Sequence, residues 1–407
     1  MTDSTTMTVA GFQTAGVACG LKANGALDFT LIASDRPCTT AGVFTTNLVK
    51  AAPVLYDAEV LARGQSGIRA VAVNTRCANA CTGEQGLANA REMARLTAET
   101  LGVPPDSVLV MSTGVIGTQL AMDKIAQGVT LASGELDSGD AAWNRAANGI
   151  MTTDTRPKIA SETVVREDGS AYRITGIAKG AGMIAPNMAT MLSVIVTDAA
   201  LSAEQVDRLL HQAVEVSFNR IVVDGDTSTN DTVLLLANGA SSVVIAGDAD
   251  EAAFLQALTA VSVKLAQAVV RDGEGATKFI AIEVSGAQDD LAAKQIANTI
   301  ATSPLVKTAF YGGDANWGRI MAAAGRAGVA LDAEAATLRF ARGADDEGLL
   351  LYAHAMPTHY DEAVATEIVK ADSVIVRLNV GMGGGAATVW TCDLSHDYVS
   401  INGHYRS

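Results

Sequence analysis

The stretch that most constrains this chain runs from Lys179 to Asp198. Its first part, Lys179 to Asn187, carries two glycines and a proline and reads as an irregular loop. Its second part, Thr190 to Thr197, is rich in apolar and β-branched residues and reads as a buried strand. At the junction Thr190 follows the minimal side chain of Ala189. A hydroxyl at the tip of a rigid strand, fed by a glycine-rich loop, is a place for a nucleophile. A loop merely entering a core strand is the other reading.

Around this stretch strand and helix patterns interleave. Short strands are expected at 29–33 and 41–45, and a clearer one at Gly67–Asn74. A small polar loop follows, then a helix from about Glu84 to Leu101, a strand at Ser107–Ser112, and helices near 121–132 and 139–150. Ser202 and Gln205 have the form of a capping box opening a helix that carries Val206, Leu209, Leu210 and Val214 on one face. A strand at Val233–Ala237 and a long amphipathic helix over Glu251–Val270 come next. They are followed by a strand at 278–284, a helix near 292–302 and another helix headed by Gly312–Arg319. Beyond 335 short strands lead to a helix near 360–369 and to paired stretches at 373–380 and 386–392. No fixed-period repeat and no low-complexity linker interrupts this order. The class is α/β, or α+β with layered sheets.

Composition narrows the function. The chain has 407 residues, 49% apolar and only 4% aromatic, enough for a substantial core in one large or two smaller domains. Its formal charge of −15 repels phosphate backbones and anionic lipid, so nucleic acid and membrane are not expected partners. No secretory start and no apolar run of spanning length are expected, and five scattered cysteines suit a reduced, cytoplasmic setting. Cys77 and Cys81 lack a second Cys or His pair nearby, so two buried small hydrophobes are expected rather than a zinc site.

Other motifs fall away on inspection. The glycines at 381–385 lie between two strands rather than between strand and helix, which favours a hairpin over a dinucleotide loop. Asp224, Asp226, Ser228 and Asn230 alternate like a calcium loop, but Thr229 and Leu235 stand where Gly and Glu are needed. A polar turn or an active-site wall remains. The five histidines form no ligand spacing, and no GxSxG elbow is present. A nucleophile here must therefore be activated by something other than His. An N-terminal threonine can use its own α-amine, whose reference pKa is about 7.7–8.0. Cutting Ala189–Thr190 would release that amine. Thr113 and Gly114, ending a strand, could supply an oxyanion with a hydroxyl and a backbone N–H, or could be only a turn.

Taken together these residues resemble the ornithine acetyltransferase (glutamate N-acetyltransferase) family, also called the arginine-biosynthesis bifunctional protein. The motifs run from end to end: Gly42–Phe44, Ala78–Gly83, Ser112–Gly117, Met151–Asp154, Lys179–Met183 with Pro186–Met191, Asp224–Asp231, Asp272–Thr277, Gly313–Arg319 and the tail Asp393–Ser407. Two departures stand out. Arg76 and Cys77 stand where many relatives have Gly-Asn, and the tail ends Arg406-Ser407 rather than in threonines.

The resemblance implies an αββα sandwich of the self-processing acetyltransferase and aminopeptidase type. The main body would span about 1–280 and a smaller C-terminal part about 281–400, with a tail, 401–407, returning to the active site. It implies self-cleavage at Ala189–Thr190 into an α chain 1–189 and a β chain 190–407, assembled as two copies of each or more. Thr190 is then the nucleophile and Thr113 with Gly114 the oxyanion pair. Thr153, Lys179, Thr190, Glu274, Asn402 and Ser407 are the substrate contacts, with Lys179 suited to a carboxylate and Glu274 to an ammonium group. The implied reaction is ping-pong acetyl transfer from N-acetyl-ornithine to glutamate, with acetyl-CoA a second donor if the enzyme is bifunctional. No metal and no organic cofactor is implied. Alternatives are a secondary-metabolite relative with the same chemistry, a self-processing aminopeptidase, and a binding protein that never cleaves.

Overall fold

The computed structural model describes residues 6–185 and 191–404, which divide into two compact units. The first comprises residues up to Asn219 together with Asp226–Val269, and the second Arg220–Gly225 together with Val270 onward.

The first unit's strands are β1 (Phe12–Val17), β2 (Phe29–Phe44), β3 (Ser66–Asn74), β4 (Val108–Ser112), β5 (Lys158–Val165), β6 (Ala171–Lys179) and β7 (Leu192–Thr197). After the short β8 (Ile221–Val222) of the second unit comes β9 (Thr232–Ala237). They form one mixed sheet in the order β4-β3-β2-β9-β7-β6-β5, with β1 paired to β2. The two strands expected at 29–33 and 41–45 are one: β2 runs through both, and register shifts against β3 around Cys38 bend it so that it also pairs β9.

At the centre, β7 and β9 run parallel, and every residue of both is buried. Six consecutive buried residues require cover on both faces, and both are covered. Val194, Val196, Leu234 and Leu236 share a core with Val60 of α1 (Ala52–Arg63), Met93 of α2 (Gly83–Leu101), Ile125 and Val129 of α3 (Met122–Gly134), and Trp143 of α4 (Asp140–Gly149). On the other face, Ile195 lies beside Gly176, and a Cβ on that glycine would touch Val261 and Leu265 of α6 (Gly247–Arg271). α5 (Ala203–Glu215) begins with the expected capping box: Ser202 Oγ accepts from Gln205 N at 3.2 Å and Gln205 Oε1 from Ser202 N at 2.9 Å. The α/β class expected from interleaved patterns is what this unit shows.

Two expectations need correction here. α6 has the length and apolar composition that a membrane-spanning helix would need, although no such run was expected. Half of its apolar window is buried, with Phe254, Leu258, Val261 and Leu265 in the core, so its hydrophobicity serves packing against the sheet. Cys77 is buried as expected, but Cys81 is exposed, turned out by a left-handed backbone at φ +54°.

The second unit holds β8, β10 (Phe279–Ala287), β11 (Thr337–Ala341), β12 (Leu349–Ala353), β13 (Met356–Pro357), β14 (Ser373–Asn379) and β15 (Gly385–Cys392), in the order β13-β12-β11-β14-β10-β15-β8. Its core joins the sheet to α7 (Asp290–Ala301), α8 (Pro304–Tyr311), α9 (Trp317–Gly325) and α10 (Glu362–Lys370), and the described chain ends in α11 (His396–Gly403). The hairpin expected around 381–385 is absent from these strands. β14 pairs β10 in parallel and β15 pairs β10 antiparallel, so the glycines carry the chain past the end of β10. The crossing is tight. A Cβ on Gly385 would lie 2.1 Å from the Asp289 carbonyl carbon, so only glycine fits.

Gly385→Ala should therefore cost about 2 kcal/mol or more of stability, read from the urea midpoint. Gly384→Ala, whose added Cβ meets nothing within 4 Å, should stay within about 0.5 kcal/mol of the parent.

Candidate active site

The first unit gathers its polar residues at one end of the sheet, where β3, β4 and β6 stop and β7 and β9 begin. Lys179 is the last residue of β6 and is buried. Its Nζ donates to Thr113 Oγ1 at 3.2 Å. Thr113 is itself buried just past β4, with its amide donating to the Asn74 carbonyl at 3.1 Å. A hydroxyl whose oxygen accepts from an ammonium group has its own proton left to donate, which suits it to a developing oxyanion. Beside it Gly114 sits at φ +136°, and a Cβ there would lie 2.2 Å from the Arg76 carbonyl carbon. Close approach of the 76–77 and 113–115 backbones thus requires glycine at 114. Arg76 itself is held at φ +69°, a left-handed conformation that glycine would adopt without strain.

Behind Lys179 lies Asp154. One carboxylate oxygen accepts from Lys158 Nζ at 2.6 Å and from Gly180 N at 2.7 Å, and the other from Thr152 N at 2.9 Å. Both members of the Asp154–Lys158 pair are sealed from solvent. Burial would raise the Asp154 pKa, but the Lys179 and Lys158 ammonium groups and these hydrogen bonds outweigh it and hold the carboxyl below the usual range. Thr153, half-buried, is thereby tied to the start of the 180–185 loop through its neighbour.

Asp231, next to β9, shows the opposite balance. It is fully buried, and one oxygen accepts from Met191 N at 2.8 Å while the other has no partner among the described residues. Burial pushes its carboxyl well above the usual range, against the opposing pull of the Met191 amide and of Lys179. Next to it Asn230 Nδ2 donates to the carbonyls of Ala78 at 2.6 Å and Ser112 at 2.8 Å. Residues 228–231 are all buried.

In the second unit Glu274 is buried, and its Oε2 accepts from Asn402 Nδ2 at 2.7 Å. Asn402 lies on α11, which docks through Ser395 Oγ donating to the Gly275 carbonyl at 2.6 Å. Tyr398 of the same helix donates from its hydroxyl to Asp224 at 3.2 Å.

Of the residues singled out from the sequence, Lys179, Thr113 and Gly114 thus come together in the first unit with Thr153 nearby, and Glu274 meets Asn402 in the second. Ala189, Thr190 and Ser407 lie outside the described residues. The sequence reasoning assigned no role to Asn74, Asp154 or Asp231, and Asn230 only a place in a polar turn or an active-site wall. For Asn74, Asn230 and Asp231 the signal was a polar residue at the end of an apolar strand: Ser112 Oγ donates to Asn74 Oδ1 at 2.7 Å, and Asn74 Nδ2 holds the Cys77 carbonyl at 3.1 Å.

Asp154→Asn should cost about 3–5 kcal/mol, because it leaves the Lys158 ammonium buried without its carboxylate. The sign of the pH dependence follows from the depressed pKa. The stabilisation is complete above the unfolded value of about 3.9, and is lost only as pH falls through the lower folded value. Urea midpoints across the acid range for parent and variant check both statements.

A profile of the ArgJ family matches residues 13–407. The arginine biosynthesis bifunctional protein ArgJ of Thermotoga neapolitana is 48% identical over 98% of this chain and 99% of its own length. The mitochondrial protein of that name from Schizosaccharomyces japonicus is 47% identical over 98% of this chain and 93% of its own. Among solved structures, the argJ protein of Bacillus halodurans is 38% identical with a TM-score of 0.48, covering 51% of this chain and 95% of that one. Ornithine acetyltransferase of Mycobacterium tuberculosis, complexed with ornithine, is 42% identical with a TM-score of 0.41, covering 44% and 92%. With a family match and near-half identity along almost its entire length, this chain belongs to the ArgJ family.

Proposed function

We propose that the chain is an arginine-biosynthesis acetyltransferase that moves the acetyl group of N2-acetyl-ornithine to glutamate through an acetyl-Thr190 ester. The observation that carries the reading is the buried contact of Lys179 Nζ with Thr113 Oγ1 beside Gly114, which joins a cation to an oxyanion-type donor pair.

The cycle starts with self-cleavage. Thr190 Oγ attacks the Ala189 carbonyl, the amide C–N bond breaks, and water hydrolyses the resulting ester, freeing a carboxylate on Ala189 and the α-amine of Thr190. That amine takes the Thr190 hydroxyl proton when the oxygen attacks the acetyl carbonyl of N-acetyl-ornithine. Thr113 and Gly114 stabilise the tetrahedral oxyanion, and the proton passes to the departing ornithine amine. Glutamate then attacks acetyl-Thr190 through its amine and leaves as N-acetyl-glutamate. Thr153, Lys179, Thr190, Glu274, Asn402 and Ser407 contact the substrate, Lys179 taking a carboxylate and Glu274 an ammonium group. Acetyl-CoA serves as a second acetyl donor to glutamate. The cleaved α and β chains assemble as two copies of each or more, in the cytoplasm.

Two experiments test this. Intact mass should resolve the purified 41.8 kDa precursor into two fragments that meet at residues 189 and 190, whereas Thr190→Ala stays whole. A split Thr190→Ala chain would remove Thr190 as nucleophile, and free acetate in place of N-acetyl-glutamate would mark a hydrolase. Removing residues 402–407 should raise the Michaelis constant or abolish transfer, and unchanged kinetics would take the tail out of the site.

A further inference from the structure

We propose that the dipeptide Asn230–Asp231 is a positioning clamp that fixes the nucleophile's backbone against the oxyanion pair. This rests on the reading of Thr190 and of Thr113 with Gly114 given above. Asn230 Nδ2 donates to the Ser112 carbonyl at 2.8 Å, and Asp231 Oδ1 accepts from the Met191 amide at 2.8 Å. Each of those backbone groups belongs to the peptide unit shared with a proposed reacting residue. The Ser112 carbonyl lies in the plane that carries the Thr113 amide, and Met191 follows Thr190 directly in the chain. Peptide planes are stiff, so holding one atom of each orients the whole unit. Because the two holding side chains are consecutive, their spacing is set by one Cα–Cα step of about 3.8 Å.

The clamp is anchored on every side. The Thr45 amide donates to the Asp231 carbonyl at 3.0 Å, the Thr232 amide to the Met191 carbonyl at 3.2 Å, and Asn230 Nδ2 also holds the Ala78 carbonyl at 2.6 Å. An acid is a costly choice for this place. Asp231 has no solvent exposure, an apolar strand follows it, and its second oxygen has no partner among the described residues. A branched hydrophobe would pack there but could not accept the Met191 N–H. Since burial favours the neutral carboxyl, an amide reproduces its shape and its accepting oxygen.

The test compares Asp231→Ala, Asp231→Leu and Asp231→Asn in the full-length precursor, following chain splitting during cell-free synthesis and acetyl transfer by the processed fraction. Asp231→Ala and Asp231→Leu should slow splitting at least tenfold and lower kcat with little change in the KM of either substrate. Asp231→Asn should return both rates to within about threefold of the parent. If either apolar variant splits and turns over like the parent, or if Asp231→Asn is as impaired as they are, the clamp is overturned. Should Asp231→Ala fail to fold, the comparison of Asp231→Leu with Asp231→Asn decides. Thr190→Ala run alongside separates the two proposals: if it splits, the nucleophile assignment fails, and if it stays whole while Asp231→Leu splits normally, only the clamp fails.

Discussion

The constraint on which the first unit's site depends is the burial of ammonium groups beside Asp154. Lys179 and Lys158 are both withdrawn from water, and a lone buried cation would deprotonate or disrupt its surroundings. Asp154 resolves the problem with one carboxylate, which accepts from Lys158 directly and lies in the field of Lys179. Its remaining lone pairs take backbone amides of Thr152 and Gly180, so the acid is satisfied on both oxygens. The same bonds fix the chain immediately after Lys179. A charge network that seals itself in this way leaves Lys179 able to reach Thr113 without bringing water in with it.

Strand β7 and the polar residues at its start form a second dependency. Six buried residues in a row hold the strand in place through packing on two faces, and its ladders with β6 and β9 set its register. Hydrogen bonds at the strand's start extend that hold to the residue before it: Met191 is held through its amide by Asp231 and through its carbonyl by Thr232.

Much of this was legible in the sequence, for reasons that differ by element. Strands β3, β4, β7 and β9 and helix α5 declared themselves because burial pattern and capping are local: Ser202 and Gln205 bond to each other whatever lies elsewhere. The strand pairing was not local. The glycines at 381–385 looked like a hairpin because adjacent strands usually pair, yet β10, nearly a hundred residues earlier in the chain, lies between the two strands. α6 was legible as a helix, but its apolar content reflects the sheet that it covers. In the site, Thr113, Gly114, Lys179, Glu274 and Asn402 came from motif resemblance. Asp154 and Asp231 lay inside two of the same motifs, Met151–Asp154 and Asp224–Asp231, but received no role of their own. Nothing in one dimension tells the two aspartates apart: burial dominates at Asp231, while Lys179, Lys158 and hydrogen bonds outweigh it at Asp154.

That divergence bears on how an acidic protein can attract an anionic group. The formal charge of −15 would repel a free amino-acid carboxylate if the whole chain acted at once. Salt confines such fields to about 8 Å at physiological ionic strength, so the charges near the site decide. In the first unit those charges are gathered cations. Lys22 has its pKa lowered chiefly by burial, with Lys179 and Arg76 adding to the shift against the pull of Asp28 and Asp154. Lys158 is there too, paired with Asp154, and burial pushes the Asp231 carboxyl well above the usual range. The raised Asp231 pKa favours the protonated acid, which offsets Lys179 less than a carboxylate at the same place would.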